Sequence, residues 1–280
     1  MAPIMNEKSI LITGCSSGIG YSVAHELHVK GYRVFATARK IEDVTRLHNE
    51  GLEALQLDVT DETSIAKALQ EILKRTNGRL DVLFNNAGFG QPGALEDLSS
   101  EALREQFETN VFGLHTLTCK VLSIMRAQGE GRIIHNSSVL GLISLRYRGA
   151  YNASKHALEA LADTMRLELT GTNIFVSLIE PGPITSKFRY NAYAKFLQNI
   201  DVENSAHFIA YQKAIARFEG ETGQDPFELS PSAVSKKVLH VIEAKKPKAR
   251  YYVTVPTYAF AVLKRILPIS WLDWILLKVT

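Results

Sequence analysis

Ile10-Leu11-Ile12-Thr13-Gly14-Cys15-Ser16-Ser17-Gly18-Ile19-Gly20 decides the fold of this 280-residue chain. Three aliphatic residues in a row read as a buried strand, and a helical period follows over residues 23–29. The glycines at 14, 18 and 20 stand at the junction. They permit a tight turn, close approach of the backbone to a pyrophosphate, and close packing of helix on strand. Free N–H groups and the dipole at the helix start attract phosphates. Ser16, Ser17 and Ile19 share that loop and join the three glycines as candidate phosphate contacts.

Outward from this loop, apolar runs at residues 10–12, 33–36, 54–57, 81–84, 132–135, 174–179 and 251–255 read as strands. Amphipathic stretches at 23–29, 64–73, 102–125 and 157–169 lie between them. Alternation of continuous apolar strands with helices predicts an α/β fold with a doubly wound parallel sheet of about seven strands and helices on both faces. Ligands are then expected at the carboxyl ends of the strands. Residues 187–230 break the pattern and read as an insertion placed to cover a site, or as a surface excursion. Its rings (Phe188, Tyr190, Tyr193, Phe196, Phe208, Tyr211) suit an apolar substrate lid and suit ordinary packing equally well.

The second strand ends Ala36-Thr37-Ala38-Arg39-Lys40, without the carboxylate that would bond the ribose hydroxyls of NAD. A guanidinium there can bind a 2′-phosphate through paired, charge-assisted hydrogen bonds. The cofactor read from this tip is NADP(H), with Arg39 as the main discriminator and Lys40 as a helper.

Tyr151 and Lys155 stand four residues apart on one face of a helix. An unperturbed tyrosine, with a pKa of about 10, transfers protons poorly near neutrality. A neighbouring ammonium and the positive ring of oxidised nicotinamide would favour the phenolate. Ser138 follows the strand at 132–135 and can hold a substrate oxygen beside the tyrosine. Asn85-Asn86-Ala87-Gly88 ends the fourth strand at the edge that carries the glycine loop. Asn110 interrupts the segment 102–125, where an asparagine signals a local backbone bond or a bend.

With these motifs in this order, and with Pro181-Gly182 after the sixth strand, the chain resembles the short-chain dehydrogenase/reductase family across about two-thirds of its length. The resemblance implies a single Rossmann domain over residues 1–280, with Tyr151 as acid/base and Lys155 lowering its pKa and binding the nicotinamide ribose. Ser138 would orient the carbonyl, and Asn110 would hold a water that relays protons through Lys155. It further implies that Asp58 and Val59 contact the adenine, that Asn86, Gly88, Pro181 and Gly182 line the cofactor, and that the Ile184 backbone bonds the carboxamide. Where the family has a threonine this chain has Ser186, beside Thr185, and either hydroxyl could touch the cofactor. Ser17 replaces the basic loop residue of many NADP-dependent members, which leaves phosphate recognition to Arg39. The full-length pattern is similar to bacterial NADP-dependent aldehyde reductases and to hydroxysteroid and retinol dehydrogenases. By the same resemblance a homodimer or homotetramer is expected.

Composition sets the outer bounds. Net charge is +3 with scattered cations, so neither nucleic acid nor an anionic surface is demanded; the cluster Lys245, Lys246, Lys248, Arg250 reads as a solvated turn. Cys15 and Cys119 have no metal-ligand spacing, so no metal site is expected and a reducing, cytoplasmic setting is. No secretion signal or spanning stretch is read. The segment 256–280 is apolar but broken by Lys264, Arg265, Pro268 and Asp273. It could dock on the core or a second subunit, cap the pocket, or rest on a membrane; docking is the default. The expected function is interconversion of a carbonyl and an alcohol on an apolar small molecule. The alternatives are a catalytically inactive NADP(H) sensor and the same chemistry on steroid, retinoid or lipid substrates at a membrane surface.

Overall fold

Alternate residues of each strand bury against opposite layers, and this two-sided burial dictates a covered parallel sheet. The computed structural model describes residues 6–219 and 227–279. Among them are seven strands: β1 (Asn6–Ile12), β2 (Tyr32–Ala38), β3 (Glu53–Gln56), β4 (Val82–Asn85), β5 (Glu130–Asn136), β6 (Asn173–Glu180) and β7 (Arg250–Tyr252). All pair in parallel in the order β3-β2-β1-β4-β5-β6-β7. The expected seven-stranded doubly wound α/β sheet is therefore present. The chain runs outward from β1 to β3, then restarts on the other side of β1 with β4. That reversal opens a crevice at the carboxyl ends of β1 and β4.

Ile10, Ile12, Val34, Ala36, Val82, Phe84 and Ile134 face one layer, built on helices α1 (Gly18–Val29), α2 (Ile41–Asn49) and α9 (Ser232–Glu243). Leu11, Phe35, Leu83, Ile133, Val176 and Leu178 face the other. There they meet α3 (Glu62–Arg75), α5 (Leu114–Gln128) and α6 (Gly149–Glu168). Short caps start the helices where the loops allow it. Asp61 accepts from the Thr63 N–H to open α3, and Ser99 accepts from the Ala102 N–H to open α4 (Ser100–Phe107).

Three expectations are refined. The segment 102–125 is not one helix: a π turn over Glu108–Gly113 separates α4 from α5. The strand expected at 251–255 stops at Tyr252. Val255 instead opens α10 (Val255–Ile266), where Pro256 occupies the first turn that proline tolerates best. Residues 187–219 carry α7 (Phe188–Asn199) and α8 (Phe208–Glu219), and Ile184 bridges Leu229 in parallel. The part of the proposed insertion at 220–226 lies outside the described residues.

The tail docks on the core. Phe260 of α10 and Leu272 and Leu276 of α11 (Ile269–Lys278) pack against Val139, Leu140, Leu142, Ile143, Leu145 and Tyr151.

Arg250 on β7 ties this half of the molecule together. Its guanidinium donates to Glu159 Oε2 at 3.0 Å and to Asp163 Oδ2 at 2.7 Å, and its Nε lies 3.1 Å from Glu180 Oε1. The cluster at 245–250 is thus not wholly a solvated turn: one of its cations is committed to the interior. Burial, and next the charge of Glu159, push the Glu180 carboxyl up to about 8 against the pull of Arg250. Its native state therefore holds a proton that the unfolded chain releases above the ordinary carboxylate pKa of about 4.3. Stability from this group is complete below that value and is lost as pH rises toward 8. Relative to Glu180→Gln, the wild-type melting temperature should fall between pH 5 and pH 8; a difference that stays flat or rises would show Glu180 ionised in the fold.

Candidate active site

The crevice at the β1–β4 reversal is built from backbone. Gly14 and Gly18 hold φ of +71° and +60°, a region closed to most side chains. A Cβ on Gly20 would overlap the Gly14 carbonyl and the Asn86 amide, so α1 can start this close to the loop only with glycine there. Ser17 precedes α1 without a side-chain cap, which leaves first-turn N–H groups for an anion. Cys15 anchors the loop from beneath: its N–H donates to Thr37 O at 2.8 Å and its thiol to Ile12 O at 3.3 Å. The thiol is fully buried, and burial pushes it up to about 12.

Asn86 does more than line this crevice. Its Nδ2 donates to Thr13 O at 2.9 Å and Gly14 O at 3.1 Å, and its Oδ1 accepts from Asn136 Nδ2 at 2.9 Å. Thr13 Oγ1 in turn accepts the N–H groups of Asn86 and Ala87 at 3.0 and 2.9 Å. Gly88 lies against Asn110, where a side chain would crowd the Asn110 Oδ1.

At the tip of β2, Arg39 and Lys40 are exposed, and neither side chain has an ion-pair partner among the described residues. Gln56 donates to the Arg39 carbonyl at 3.0 Å, fixing the backbone while the guanidinium extends outward. Asp58 accepts from the N–H and hydroxyl of Thr60, at 3.0 and 2.8 Å, in the turn after β3, and Val59 is buried beside it. A glycine cradle, uncapped helix N–H groups and a free guanidinium at the second strand tip fit a phosphorylated dinucleotide.

Across the crevice, Ser138 ends the segment after β5, where its Oγ accepts from the Leu140 N–H at 3.1 Å. Tyr151 and Lys155 project from the first turns of α6. Lys155 Nζ donates to the Asn136 carbonyl at 2.7 Å and lies 5.6 Å from the centre of the Tyr151 ring. Burial brings Lys155 down to about 8, with Glu159 working the other way. Burial raises Tyr151 to about 12, opposed by the Ser138 hydroxyl and by Arg148. The lowering expected from Lys155 is not seen: burial holds the phenol neutral, and the groups that oppose it are Ser138 and Arg148. Buried His135 is pushed down to about 3 by burial and then by Lys155, so it stays neutral and adds no competing charge.

Asn110 sits in the π turn with its side chain fully used. Nδ2 donates to Phe89 O at 3.0 Å and to Ser154 Oγ at 3.1 Å, while Oδ1 accepts from the Phe89 N–H at 3.1 Å. Ser154 Oγ then donates to the Tyr151 carbonyl at 2.8 Å. The bend expected at this asparagine is the π turn itself, and the bonds it makes are to the backbone of Phe89 and the hydroxyl of Ser154, both distant in sequence.

After β6, the Pro181 carbonyl accepts from the Val139 N–H at 2.8 Å, and Gly182 packs against Thr254 so closely that a side chain would overlap its hydroxyl. The Thr185 N–H is bonded to Leu229 O at 3.0 Å. Ser186 lies against Gly18, where its Cβ would be 2.9 Å from a side chain on that glycine. Of the two hydroxyl residues left open, Ser186 is the one that touches the glycine loop.

Phe188, expected as a lid or packing ring, lies tilted against Tyr151 with ring centres 5.4 Å apart and fills the space over Gly90. Its contact with Tyr151 and several other contributors were missed from sequence. Arg46 Nη2 donates to the Ser16 carbonyl at 2.7 Å. Asn136 joins the glycine loop's support to Lys155, and Glu159, one turn beyond Lys155, accepts from Ser137 at 2.5 Å. The spacing Tyr151, Lys155, Glu159 was visible as one helix face; the other three contacts span folds of the chain that no local pattern reports. No group of three or more metal-ligating side chains occurs among the described residues.

The family model described as short chain dehydrogenase matches residues 8–195. The chain is 44% identical over 270 residues to the uncharacterized oxidoreductase YbbO of Escherichia coli strain K12, covering 96% of this chain and 94% of that protein. It is 34% identical to retinol dehydrogenase 8 of Homo sapiens, covering 92% and 85%. A crystal structure of an actinorhodin polyketide ketoreductase variant with NADPH superposes with a TM-score of 0.71 at 30% identity, covering 89% of this chain and 95% of that one.

Loss of the Asn110 side chain would leave the Phe89 N–H without its acceptor, while the Phe89 carbonyl keeps Gln106 and Ser154 keeps the Tyr151 carbonyl. Asn110→Ala should cost about 1–3 kcal/mol in urea unfolding; a change within error would show that the π turn holds its shape without these bonds.

Proposed function

Because the chain belongs to the short-chain dehydrogenase family, we propose that it is an NADP(H)-dependent oxidoreductase interconverting an aldehyde or ketone and an alcohol, with Tyr151 as the proton donor and acceptor. The observation that carries the reading is the convergence of Ser138, Tyr151 and Lys155 at the mouth of the glycine crevice.

When bound, the nicotinamide supplies or receives the hydride. In carbonyl reduction, Ser138 and the Tyr151 hydroxyl hold the substrate oxygen, and Tyr151 delivers its proton to that oxygen. Lys155, held on the Asn136 carbonyl, stabilises the phenolate left behind and binds the nicotinamide ribose. Asn110, fixed in the π turn by its bonds to Phe89 and Ser154, holds a water that relays protons through Lys155. The first-turn N–H groups of α1, with Gly14, Ser16, Ser17, Gly18, Ile19 and Gly20, take the pyrophosphate. Arg39, helped by Lys40, takes the 2′-phosphate. Asp58 and Val59 receive the adenine, and Asn86, Gly88, Pro181, Gly182, Ile184, Thr185 and Ser186 line the remainder.

Residues 187–219 and 227–230 act as the substrate cover. Phe188 over Tyr151, and the apolar wall of Leu140, Ile143 and Leu276, favour an apolar carbonyl. A homodimer or homotetramer working in the cytoplasm completes the proposal.

The direct test is NADPH consumption across medium-chain aldehydes, retinal and steroid ketones. Tyr151→Phe should abolish turnover on any substrate found and leave NADPH affinity within about twofold; retained turnover would remove Tyr151 from the chemistry. Arg39→Asp should weaken NADPH by roughly tenfold or more, the scale of one or two charge-assisted hydrogen bonds, with little effect on NADH. An unchanged preference would refute the phosphate assignment.

A further inference from the structure

The two C-terminal helices are apolar on the wrong side. A surface helix ordinarily turns its polar face to water. On α10 the exposed positions Val255, Tyr258, Val262 and Ile266 follow helical spacing on the face opposite buried Thr257 and Ala261. On α11 Ile269, Trp271 and Trp274 are 79%, 66% and 60% exposed, with Leu277 and Val279 beside them. The inner faces of the same helices are already spent on the wall that contains Tyr151. The outer face is therefore a second apolar surface that the fold does not cover.

Its charges point to what does. Arg265, three residues past Val262 and seven past Tyr258, and Lys278 flank this face against the single acid Asp273, and neither cation has an ion-pair partner among the described residues. Lys278 Nζ lies 3.7 Å from the Trp274 ring centre, so cation and indole form one patch. Exposed tryptophans with aliphatic neighbours and flanking cations suit the headgroup boundary of an anionic bilayer. A second copy fits less well, because a two-fold contact would set these like charges against one another. No helix among the described residues is long and apolar enough to cross a membrane.

We propose that the outer face of α10 and α11 docks this protein on an anionic phospholipid surface. Because the inner face of the same helices walls Tyr151, an apolar substrate dissolved in the bilayer reaches the site beside the docking surface. That consequence rests on the proposed carbonyl chemistry; the docking itself does not.

Both tryptophans of the chain lie in α11, so selectively excited tryptophan emission reports on this helix alone. The full-length protein should float with vesicles of phosphatidylglycerol and phosphatidylcholine at low salt, with a blue shift in emission, and should leave pure phosphatidylcholine largely unbound. The double variants Trp271→Ser/Trp274→Ser and Arg265→Glu/Lys278→Glu should each lose about tenfold or more in partitioning, with thermal unfolding unchanged to show that the fold is intact. Absence of flotation, equal partitioning of the variants, or self-association through this face without vesicle binding would each overturn the proposal. Since the readout is partitioning and not turnover, its failure leaves the oxidoreductase reading untouched.

Discussion

The side-chain amide of Asn86 is the joint on which this site depends. It donates to the carbonyls of Thr13 and Gly14 and accepts from Asn136, whose own carbonyl receives the Lys155 ammonium. Four hydrogen bonds thus run unbroken from the glycine loop to the amine beside Tyr151. Each is made at the carboxyl end of a strand, where parallel pairing leaves backbone groups without partners. The sheet supplies the ends, and one amide fastens β1, β4 and β5 to one another and to α6. The position of the glycine loop and the position of the Lys155 amine are set by the same network.

Much of this was legible because it is local. An aliphatic triplet before a glycine loop fixes β1 and the start of α1, and the continuous apolar runs require helices on both faces. Boundaries moved where chemistry outside the run intervened: Pro256 draws Val255 into α10, and the π turn divides the stretch around Asn110. Roles carried by distant pairings were not readable. Nothing in a run of lysines near residue 248 announces that Arg250 enters a cluster with Glu159, Asp163 and Glu180. Nor does a glycine at position 18 announce a serine from position 186 resting on it.

The electrostatics of the interior are arranged in two compartments on α6. Lys155 faces the crevice, while Glu159, one turn later, faces Arg250 and Ser137. Burial penalises every one of these charges. The acidic side offsets that penalty with a guanidinium and a retained proton on Glu180. The basic side offsets it with one carbonyl and with the acid a turn away. Lys155 is therefore held in a narrow electrostatic position, charged at neutrality but close to losing its proton, and its neighbour on the helix biases it toward the charged form.

Cys15 lies in the middle of the glycine loop, yet its sulfur is wholly enclosed and its thiol is held far from ionisation. Peroxides, disulfides and alkylating agents react with accessible thiolate, and this residue offers neither access nor thiolate. The exposed thiol, Cys119, sits on α5 away from the crevice, and burial still raises its pKa. A cysteine at the heart of a functional loop would ordinarily invite a redox switch. Here the loop is chemically insulated, so oxidants that reach the exposed Cys119 leave the sulfur of the loop unmodified.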